Sequence, residues 1–347
     1  MVPHLRGQTP ERLARLLPEL RLDERMWRRI VARVVHGDRD DLEGLPGLSR
    51  RAQEALAAGT RRERLDVVDR RLSPHDGFAK YLFRGRDGAP FETVRIPLER
   101  PRWSVCVSSQ VGCALACAFC ETGRLGFTRN LEPWEMVEQV LTVRRESPAR
   151  PVTGVVFQGQ GEPLQNYDNV MEAARLLRHP CGLRVRGDRI TLSTVGLRPL
   201  IERYTDEGHP YRLILSLTSA FDETRARLVP LGRTYGVAEL AQAMRRHALR
   251  RGGPVHLGWV LMSGINTRPE EARELARLFA GVALRLSVID VNDPEGRFRR
   301  AGQEERGRFL SALAENGIPF VRRYSGGRDI DAACGMLASH ARGGVTL

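Results

Sequence analysis

Lysine is almost absent from this 347-residue chain, which contains only Lys80, so arginine carries nearly all of the positive charge. The formal net charge is +13 and the sequence pI is near 10.4. A genome rich in G and C would favour arginine over lysine, but it would not explain the excess of basic over acidic residues. We therefore expect an anionic partner, most simply nucleic acid.

The sequence also lacks long apolar runs. No segment approaches the roughly 20 apolar residues that a membrane-spanning helix needs. The N-terminal run MVPHLRGQTPERL has no apolar segment of the kind found in signal peptides. These absences predict a cytoplasmic protein that does not associate with membranes. Cysteines in that compartment stay reduced and serve metal binding or catalysis.

The first hundred residues divide into two predicted units. Residues 1–62 predict a small helical domain, because Thr9-Pro10, Asp23 and Ser49 are N-cap candidates ahead of helical patterns. Its arginines make it a candidate RNA-binding accessory domain, although a solvated helix face is the commoner role of such charges. Residues 63–100 change to a period of two and predict a short antiparallel β extension.

From residue 101 the pattern alternates strand, loop and helix. Candidate strands lie at 103–108, 152–157, 189–194, 211–217, 255–261 and 283–290, with helical patterns between them. This alternation indicates an α/β protein with parallel strands and right-handed crossovers. We expect a six-strand (βα)6 partial TIM-like barrel over 101–325, followed by a tail at 326–347. Its functional loops would follow the C-terminal strand ends.

Three of the six cysteines stand close together, in the run Cys113-Ala-Leu-Ala-Cys117-Ala-Phe-Cys120 after the first predicted strand. Thiolates suit zinc and iron–sulfur clusters. Structural zinc needs a fourth protein ligand, and the sequence offers no second Cys or His pair at similar spacing. Three thiolates on a [4Fe–4S] cluster leave one iron open to a small molecule. The C-x3-C-x2-C spacing resembles the signature of radical S-adenosylmethionine (SAM) enzymes, in which that iron binds SAM.

Polar residues follow the next predicted strands. In the turn Gly159-Gln-Gly161-Glu162-Pro163, glycines allow close backbone approach and Glu162 can accept a hydrogen bond from an ammonium group. Ser193 and Ser216 end the next two strands and can hold a ribose or a carboxylate, although serines are also ordinary at strand ends. Cys334 lies among small residues in the tail, where inert packing is the default reading of a lone thiol.

Runs over nearly the whole chain resemble the RlmN/Cfr group of radical SAM RNA methyltransferases. In order, the matching runs are Glu92–Pro97, Cys106–Cys113, Gly126–Leu131, Gly161–Leu164, Ile190–Thr194, Leu228–Leu231, the Asn292 loop and Asp329–Gly335. The cysteine loop alone would indicate only the superfamily. The order and number of the runs indicate the group.

The resemblance implies cofactors and residue roles. It implies that Cys334 carries the methyl group, that Cys106 releases the product by forming a disulfide with it, and that Glu92 accepts a proton. It implies a [4Fe–4S] cluster on Cys113, Cys117 and Cys120. Implied SAM contacts come from Gly161, Glu162, Ser193, Ser216, Leu217, Thr218 and Asn292. Cys181 has no implied role.

The implied reaction is methylation of an adenine ring carbon in large-subunit ribosomal RNA, transfer RNA or both. C2 is the preferred target atom. The resemblance also implies an electron donor such as flavodoxin or ferredoxin, and we expect a monomer. Departures from the group pattern occur at Gln160, Thr218, Asp290 and the stretch Tyr324–Arg328. They leave the cluster and thiols in place but put the substrate in doubt.

Two other readings therefore stay open. One keeps the radical chemistry but changes the target, to carbon 8 of adenine as in Cfr or to a different RNA. The other is a catalytically silent RNA-binding paralogue. The presence of both Cys106 and Cys334 speaks against the silent paralogue, because a binding module has no use for the pair.

Overall fold

The computed structural model of this protein describes residues 2–338, so residues 339–347 of the predicted tail lie outside it. Within that range the helices are α1 (Pro10–Leu16), α2 (Glu24–Val31), α3 (Arg50–Gly59), α4 (Glu121–Arg124), α5 (Pro133–Glu146), α6 (Tyr167–Arg178), α7 (Arg198–Glu207), α8 (Asp222–Leu228), α9 (Val237–Arg251), α10 (Pro269–Leu278) and α11 (Gln303–Glu315). None of the described helices combines the length and apolar character needed to cross a bilayer.

The strands of the same range are β1 (Asp66–Leu72), β2 (Ala79–Arg84), β3 (Pro90–Pro97), β4 (Trp103–Val107), β5 (Gln110–Gly112), β6 (Phe127–Asn130), β7 (Val152–Phe157), β8 (Ile190–Thr194), β9 (Arg212–Ser216), β10 (Val255–Leu261), β11 (Leu284–Asp290) and β12 (Phe320–Arg322). The six strands predicted after residue 101 are β4, β7, β8, β9, β10 and β11. Their ends lie within one residue of the predicted ones, and they pair in parallel in sequence order.

The mixed α/β sheet is larger than predicted. It has ten strands in the order β1-β2-β3-β4-β7-β8-β9-β10-β11-β12, and β5 and β6 form a separate two-stranded sheet. The predicted six-strand barrel is therefore not confirmed. At one edge, β3 pairs antiparallel with β4, with Val94 opposite Cys106, so the antiparallel extension continues the same sheet. At the other edge, β12 adds a short parallel strand, with Phe320 opposite Leu286.

The N-terminal helices pack against α5. Leu13, Trp27 and Ile30 are fully or almost fully buried and share one apolar core with Val137 and Val140 of α5. Asp23 and Ser49 cap their helices by accepting hydrogen bonds from Met26 and Ala52, whereas the Thr9 side chain makes no capping bond.

Buried charges reinforce this contact between the N-terminal segment and α5. The guanidinium of Arg6 is fully buried and lies 2.7 Å from Asp38 and 3.6 Å from Glu138 of α5. Arg145, about two helical turns beyond Glu138 on α5, also contacts both carboxylates. Because a buried charge is tolerated only beside an opposite one, removing any member would leave the others inadequately paired.

One face of the sheet encloses a cavity of about 660 Å³. Its walls include Val94 of β3, Cys106 of β4, Thr191 of β8 and Ile289 of β11. Since strands from most of the sheet line the same cavity, the sheet curves around it. Cys120 and Cys334 reach the cavity from two segments far apart in sequence.

Candidate active site

The three-cysteine loop begins directly after β5. Gly112 has a φ of +71°, and a Cβ atom there would overlap the carbonyl oxygen of Gly126. Glycine therefore allows the N–H of Cys113 to donate to that carbonyl at 2.7 Å. Further along, Ala116 adopts a left-handed φ of +49° and the N–H of Cys120 donates to the Cys117 carbonyl at 3.1 Å. These turns fold the loop back on itself.

The three thiols lie close enough to influence one another electrostatically. Burial, with a smaller contribution from Cys120, raises the pKa of Cys113 to about 11. Burial first, and then both neighbouring sulfurs, raises the pKa of Cys117 further. An apolar shell of Leu228, Val229, Met262 and Val291 packs around Cys117. Such a shell limits the access of water and sets the local polarity around a metal centre.

The donor set fits a cluster better than a single ion. Among residues 2–338, no three Cys, His, Asp or Glu side chains are placed to hold one metal ion. A mononuclear zinc site would need its ligands to converge on one point, whereas the thiolates of an iron–sulfur cluster bind different irons. Three neighbouring thiols on one loop, set in an apolar shell, can each bind a different iron of one cluster.

Glu162 occupies a buried turn after β7. Gly161 has a φ of +96°, and a Cβ atom there would lie 2.6 Å from Cβ of Gln110. The Glu162 carboxylate accepts hydrogen bonds from the N–H groups of Val195 at 2.9 Å and Leu164 at 3.0 Å. Burial raises its pKa to about 7. The groups that act on this carboxylate in the described chain are backbone N–H groups and the Thr194 hydroxyl, with no cationic side chain among them, so an ammonium group of a ligand fits there.

The ends of β8 and β9 bring further predicted residues together. The hydroxyl oxygens of Ser193 and Ser216 are 3.2 Å apart. Thr218 has a left-handed φ of +65°, and its buried hydroxyl has no hydrogen-bond partner among the described residues. Strained backbone and an orphaned buried hydroxyl are typical of ligand sites. The N–H of buried Leu217 is already used by the Gly258 carbonyl, at 3.1 Å.

Hydrogen bonds attach the tail to the cysteine loop. The N–H of Glu121 donates to the Gly335 carbonyl, and the Thr122 hydroxyl donates to the Leu337 carbonyl, both at 2.8 Å. The side-chain amide of Asn292 donates to the Cys334 carbonyl at 3.3 Å and to the Ser325 hydroxyl at 2.9 Å. In this structure Asn292 therefore positions the tail, and its predicted contact with SAM stays a prediction.

Cys106 and Cys334 face each other across Gln158. The backbone N–H of Gln158 bonds to the Cys106 sulfur, and its side-chain amide donates to the Cys334 sulfur at 3.3 Å. Burial raises the pKa of both thiols, that of Cys334 to about 11. All six cysteines are free thiols. The role of Gln158 is not visible in the sequence, because it depends on a tail that lies far away in the chain.

Glu92 lies on β3, outside the lining of the cavity. Its carboxylate is almost fully buried, and the ammonium nitrogen of Lys80 lies 2.8 Å from one of its oxygens. Its backbone N–H donates to the side-chain oxygen of Gln160 at 2.8 Å. The structure thus brings Cys106, Cys120 and Cys334 to one cavity, but it does not bring Glu92 or Glu162 to the cavity surface.

Arg225 is a second residue that sequence reasoning missed. Its guanidinium is buried and donates to the carbonyl oxygens of Ser216, at 3.1 Å, and of Leu217 and Val195. It therefore joins the loops that follow β8 and β9. Burial lowers its pKa to about 10, while the nearby Cys117 acts in the opposite direction. In an arginine-rich sequence, no local pattern distinguishes this arginine from the others.

Comparisons with known proteins agree with this geometry. The radical SAM superfamily model matches residues 107–279. A radical SAM methyltransferase from Sphaerobacter thermophilus has a similar crystal structure, with a TM-score of 0.89 and 36% identity, covering 97% of this chain and 100% of that one. A probable RNA methyltransferase from Myxococcus xanthus is 45% identical over 92% of this chain and 90% of its own length.

The fold and the three-cysteine loop thus define a radical SAM enzyme, which uses SAM and a [4Fe–4S] cluster. A probable dual-specificity RNA methyltransferase RlmN from Symbiobacterium thermophilum is 37% identical over 97% of this chain and 92% of its own length. The chain belongs to the RlmN/Cfr family of radical SAM RNA methyltransferases.

Proposed function

We propose that this enzyme transfers a methyl group from SAM to a ring carbon of adenine in RNA, with C2 as the preferred target atom. Cys334 is the methyl carrier. The observation that carries the proposal is the placement of Cys106 and Cys334 in one cavity, both in contact with Gln158. The names of the relatives support the RNA substrate. The net charge of +13 supports it as well.

A methyl carrier is needed because the target carbon cannot attack SAM directly. Adenine C2 has no lone pair with which to attack the SAM sulfonium, whereas the Cys334 sulfur has one. The thiol proton of Cys334 passes to solvent, and the sulfur attacks the methyl carbon of a first SAM. An S–CH3 bond forms while the bond from that carbon to the sulfonium breaks, so S-adenosylhomocysteine leaves. When bound to Cys113, Cys117 and Cys120, the cluster supplies the reductive cleavage of a second SAM that removes a hydrogen atom from that methyl group.

The remaining steps belong to residues of this chain. The carbon on Cys334 bonds to the adenine ring. The ring carbon then loses its proton to Glu92, the acceptor that the resemblance implies, and passes one electron to the oxidised form of the electron carrier, a flavodoxin or a ferredoxin. The Cys106 thiolate attacks the Cys334 sulfur, so that an S–S bond forms while the S–C bond breaks. The electron pair of that bond stays on the carbon, which takes up a proton to complete the methyl group. The disulfide must be reduced before the next turnover.

The same proposal assigns the SAM contacts. Glu162 accepts hydrogen bonds from the ammonium group, because it is a buried carboxylate without a cationic partner. Ser193, Ser216 and the orphaned hydroxyl of Thr218 supply polar contacts at the strand ends. Gly161 and Leu217, which adjoin these polar groups in the sequence, stay predicted SAM contacts, although the N–H of Leu217 is already bonded to the Gly258 carbonyl. Flavodoxin or ferredoxin as the electron donor, and a monomeric state, stay predictions.

The test compares Cys106→Ala with Cys334→Ala in an anaerobic turnover reaction with labelled RNA. Cys106→Ala should accumulate a covalent protein–RNA adduct on a denaturing gel, because no thiolate can attack the Cys334 sulfur. Cys334→Ala should form no adduct and take up no methyl group. Cys181→Ala, which alters a thiol outside the site, should behave like the wild type. Normal turnover of Cys106→Ala without an adduct would refute the two-thiol mechanism.

The target atom needs a separate measurement. Mass mapping of modified adenosines in total RNA, with and without this protein, distinguishes C2 from C8 and ribosomal from transfer RNA. A protein that binds RNA but methylates neither itself nor RNA under reducing anaerobic conditions would instead be the silent paralogue.

A further inference from the structure

Arginines without acidic partners line the cavity that holds Cys106 and Cys334. We define the arginine mouth as the five of them: Arg100, Arg102, Arg189, Arg212 and Arg323. None of the five makes a side-chain hydrogen bond or ion pair with the described residues, and the buried Nε atom of Arg102 has no partner among them. Glu99 is the single carboxylate among the lining residues.

These guanidinium groups approach one another across the cavity. Arg212 is half-buried, and its pKa is lowered first by burial and then by the nearby charges of Arg323 and Arg189. Asp188, the carboxylate that acts on Arg212, already pairs with Arg186 at 2.9 Å, and Asp290 pairs with Arg322 at 3.0 Å. Arg189 and Arg323 are exposed, and neighbouring positive charges without acidic partners repel one another. An anionic ligand would remove that repulsion.

An aromatic ring lies at the same opening. Tyr324 lines the cavity and is 74% exposed, more than any other large hydrophobic or aromatic side chain in the described chain. Its ring packs edge-on against Phe78 with centroids 6.2 Å apart, and its hydroxyl donates to Asp76 at 2.9 Å. The ring is thus held in place while much of its surface is free. Exposed, fixed aromatic rings are the surfaces on which unpaired RNA bases stack.

We propose that the arginine mouth is the RNA entrance: Arg189, Arg212 and Arg323 bind backbone phosphates next to the target adenosine, and Tyr324 stacks on an unpaired base. This inference rests on the proposed function and adds the route by which the substrate reaches it. Phosphate contacts fix the position of a strand, and the cavity continues from these arginines to Cys334. A single-stranded loop fits this arrangement better than a duplex, because its bases are free to stack.

The experiment measures binding of a labelled RNA hairpin, with an adenosine in its loop, to the anaerobic holoenzyme by fluorescence anisotropy. The variant Arg189→Ser/Arg212→Ser should weaken binding by about tenfold and reduce the slope of log affinity against log salt by about 1.5. The matched control is Arg273→Ser/Arg277→Ser on α10, which removes the same charge. These two arginines are 61% and 70% exposed and pair with Glu270 and Glu274.

A second pair of variants tests the stacking surface. Tyr324→Ala should weaken RNA binding roughly tenfold, whereas Tyr324→Phe keeps the ring and should bind like the wild type. Iron content and SAM affinity should stay unchanged in all of these variants, which shows that the protein is folded and the cofactor site is intact.

Two outcomes would overturn the inference: equal losses in the mouth variant and the α10 control, or lost SAM affinity with unchanged RNA binding. If the wild type methylates RNA while the mouth variants bind RNA as tightly as the wild type does, the inference fails and the proposed function stands. If RNA binding depends on the mouth but no methylated adenosine forms, the proposed function fails.

Discussion

Lys80, the single lysine of the chain, lies with its ammonium nitrogen 2.8 Å from a carboxylate oxygen of Glu92. Both side chains are almost fully buried, at 6% and 1% exposure. The two residues lie diagonally across neighbouring antiparallel strands, since Lys80 of β2 is opposite Val94 of β3 and Glu92 is opposite Leu82. The proposed proton acceptor is therefore held beside a compact, strongly localised charge. A guanidinium, with its planar fork of donors, would not reproduce that geometry.

Removing Lys80 should destabilise the protein more than removing the pair. Lys80→Met leaves the buried Glu92 carboxylate without its cation and should lower the free energy of unfolding by about 3 kcal/mol. The double variant Lys80→Met/Glu92→Gln should recover part of that loss. Urea unfolding of the four proteins in a double-mutant cycle measures the coupling. Strictly additive effects would show that the two side chains do not stabilise each other.

Gln160 departs from the group pattern, and the structure gives it a partner. Gln160→Met removes the acceptor of the Glu92 N–H, so we expect a loss of about 1–3 kcal/mol in the free energy of unfolding. Methyl transfer should decline as well, because Glu92 loses a fixed position. Gln165→Met makes the same exchange at an exposed site. In urea unfolding and in turnover assays, this control should have a free energy of unfolding and a methyl-transfer rate close to those of the wild type.

Cys117→Ala should abolish the cluster. Anaerobic reconstitution of the wild type should give about four irons per chain, and the variant should lose them because one of three thiolates is missing. Cys181→Ala should retain full iron content, since Cys181 packs beside α2 and not in the loop. Iron analysis and the visible absorption spectrum measure both. A full cluster in Cys117→Ala would contradict the assignment of the ligands.

His247 should make the protein sensitive to mild acid. It lies on α9 with 7% exposure, its ring Nδ1 is 3.0 Å from the Thr205 hydroxyl, and burial lowers its pKa to about 4. Between pH 6.5 and about 4 the unfolded chain therefore binds a proton that the folded chain does not, and stability falls as the pH falls.

The matched variant is His247→Gln, which cannot titrate. When the pH is lowered from 6.5 to 5, the free energy of unfolding should decrease in both proteins. The decrease should be about 2 kcal/mol smaller in the variant than in the wild type. Urea unfolding at several pH values measures the difference. Parallel pH profiles for the two proteins would show that His247 titrates normally in the folded state.

The sequence predicts the parallel strands well because each combines β-branched residues with turn residues at its ends, as in Val152–Phe157. It could not predict the size of the sheet. The run Ile318–Tyr324 is strand-like in the sequence and contains β12, which has only three residues and an exposed Val321, but nothing in the run shows that it pairs with β11. The antiparallel extension was predicted as strands, but its pairing with β4 depends on a contact between separate segments.

Most of the candidate site could be proposed from motifs, while its supporting residues could not. Gln158 acquires its role from two sulfurs on different segments, and Arg225 from carbonyl groups of two loops. Such roles depend on geometry that sequence spacing does not encode. The exposure of Tyr324 and the unpaired arginines of the mouth likewise become visible only when the sheet curves around the cavity.

The bond between the Thr122 hydroxyl and the Leu337 carbonyl joins residues 215 positions apart. Closing a chain segment of that length costs conformational entropy before any contact compensates for it. The carrier thiol should therefore reach the cluster loop late in folding, after the sheet has formed. Residues 330–337 are held by hydrogen bonds to the cysteine loop and by packing on Phe78 and Val94, but not by strand pairing, so local opening can separate the two thiols while the sheet stays folded. Amide exchange in residues 330–337 should accordingly be faster than in β8, and the holoenzyme would lose activity under mild stress before it loses structure.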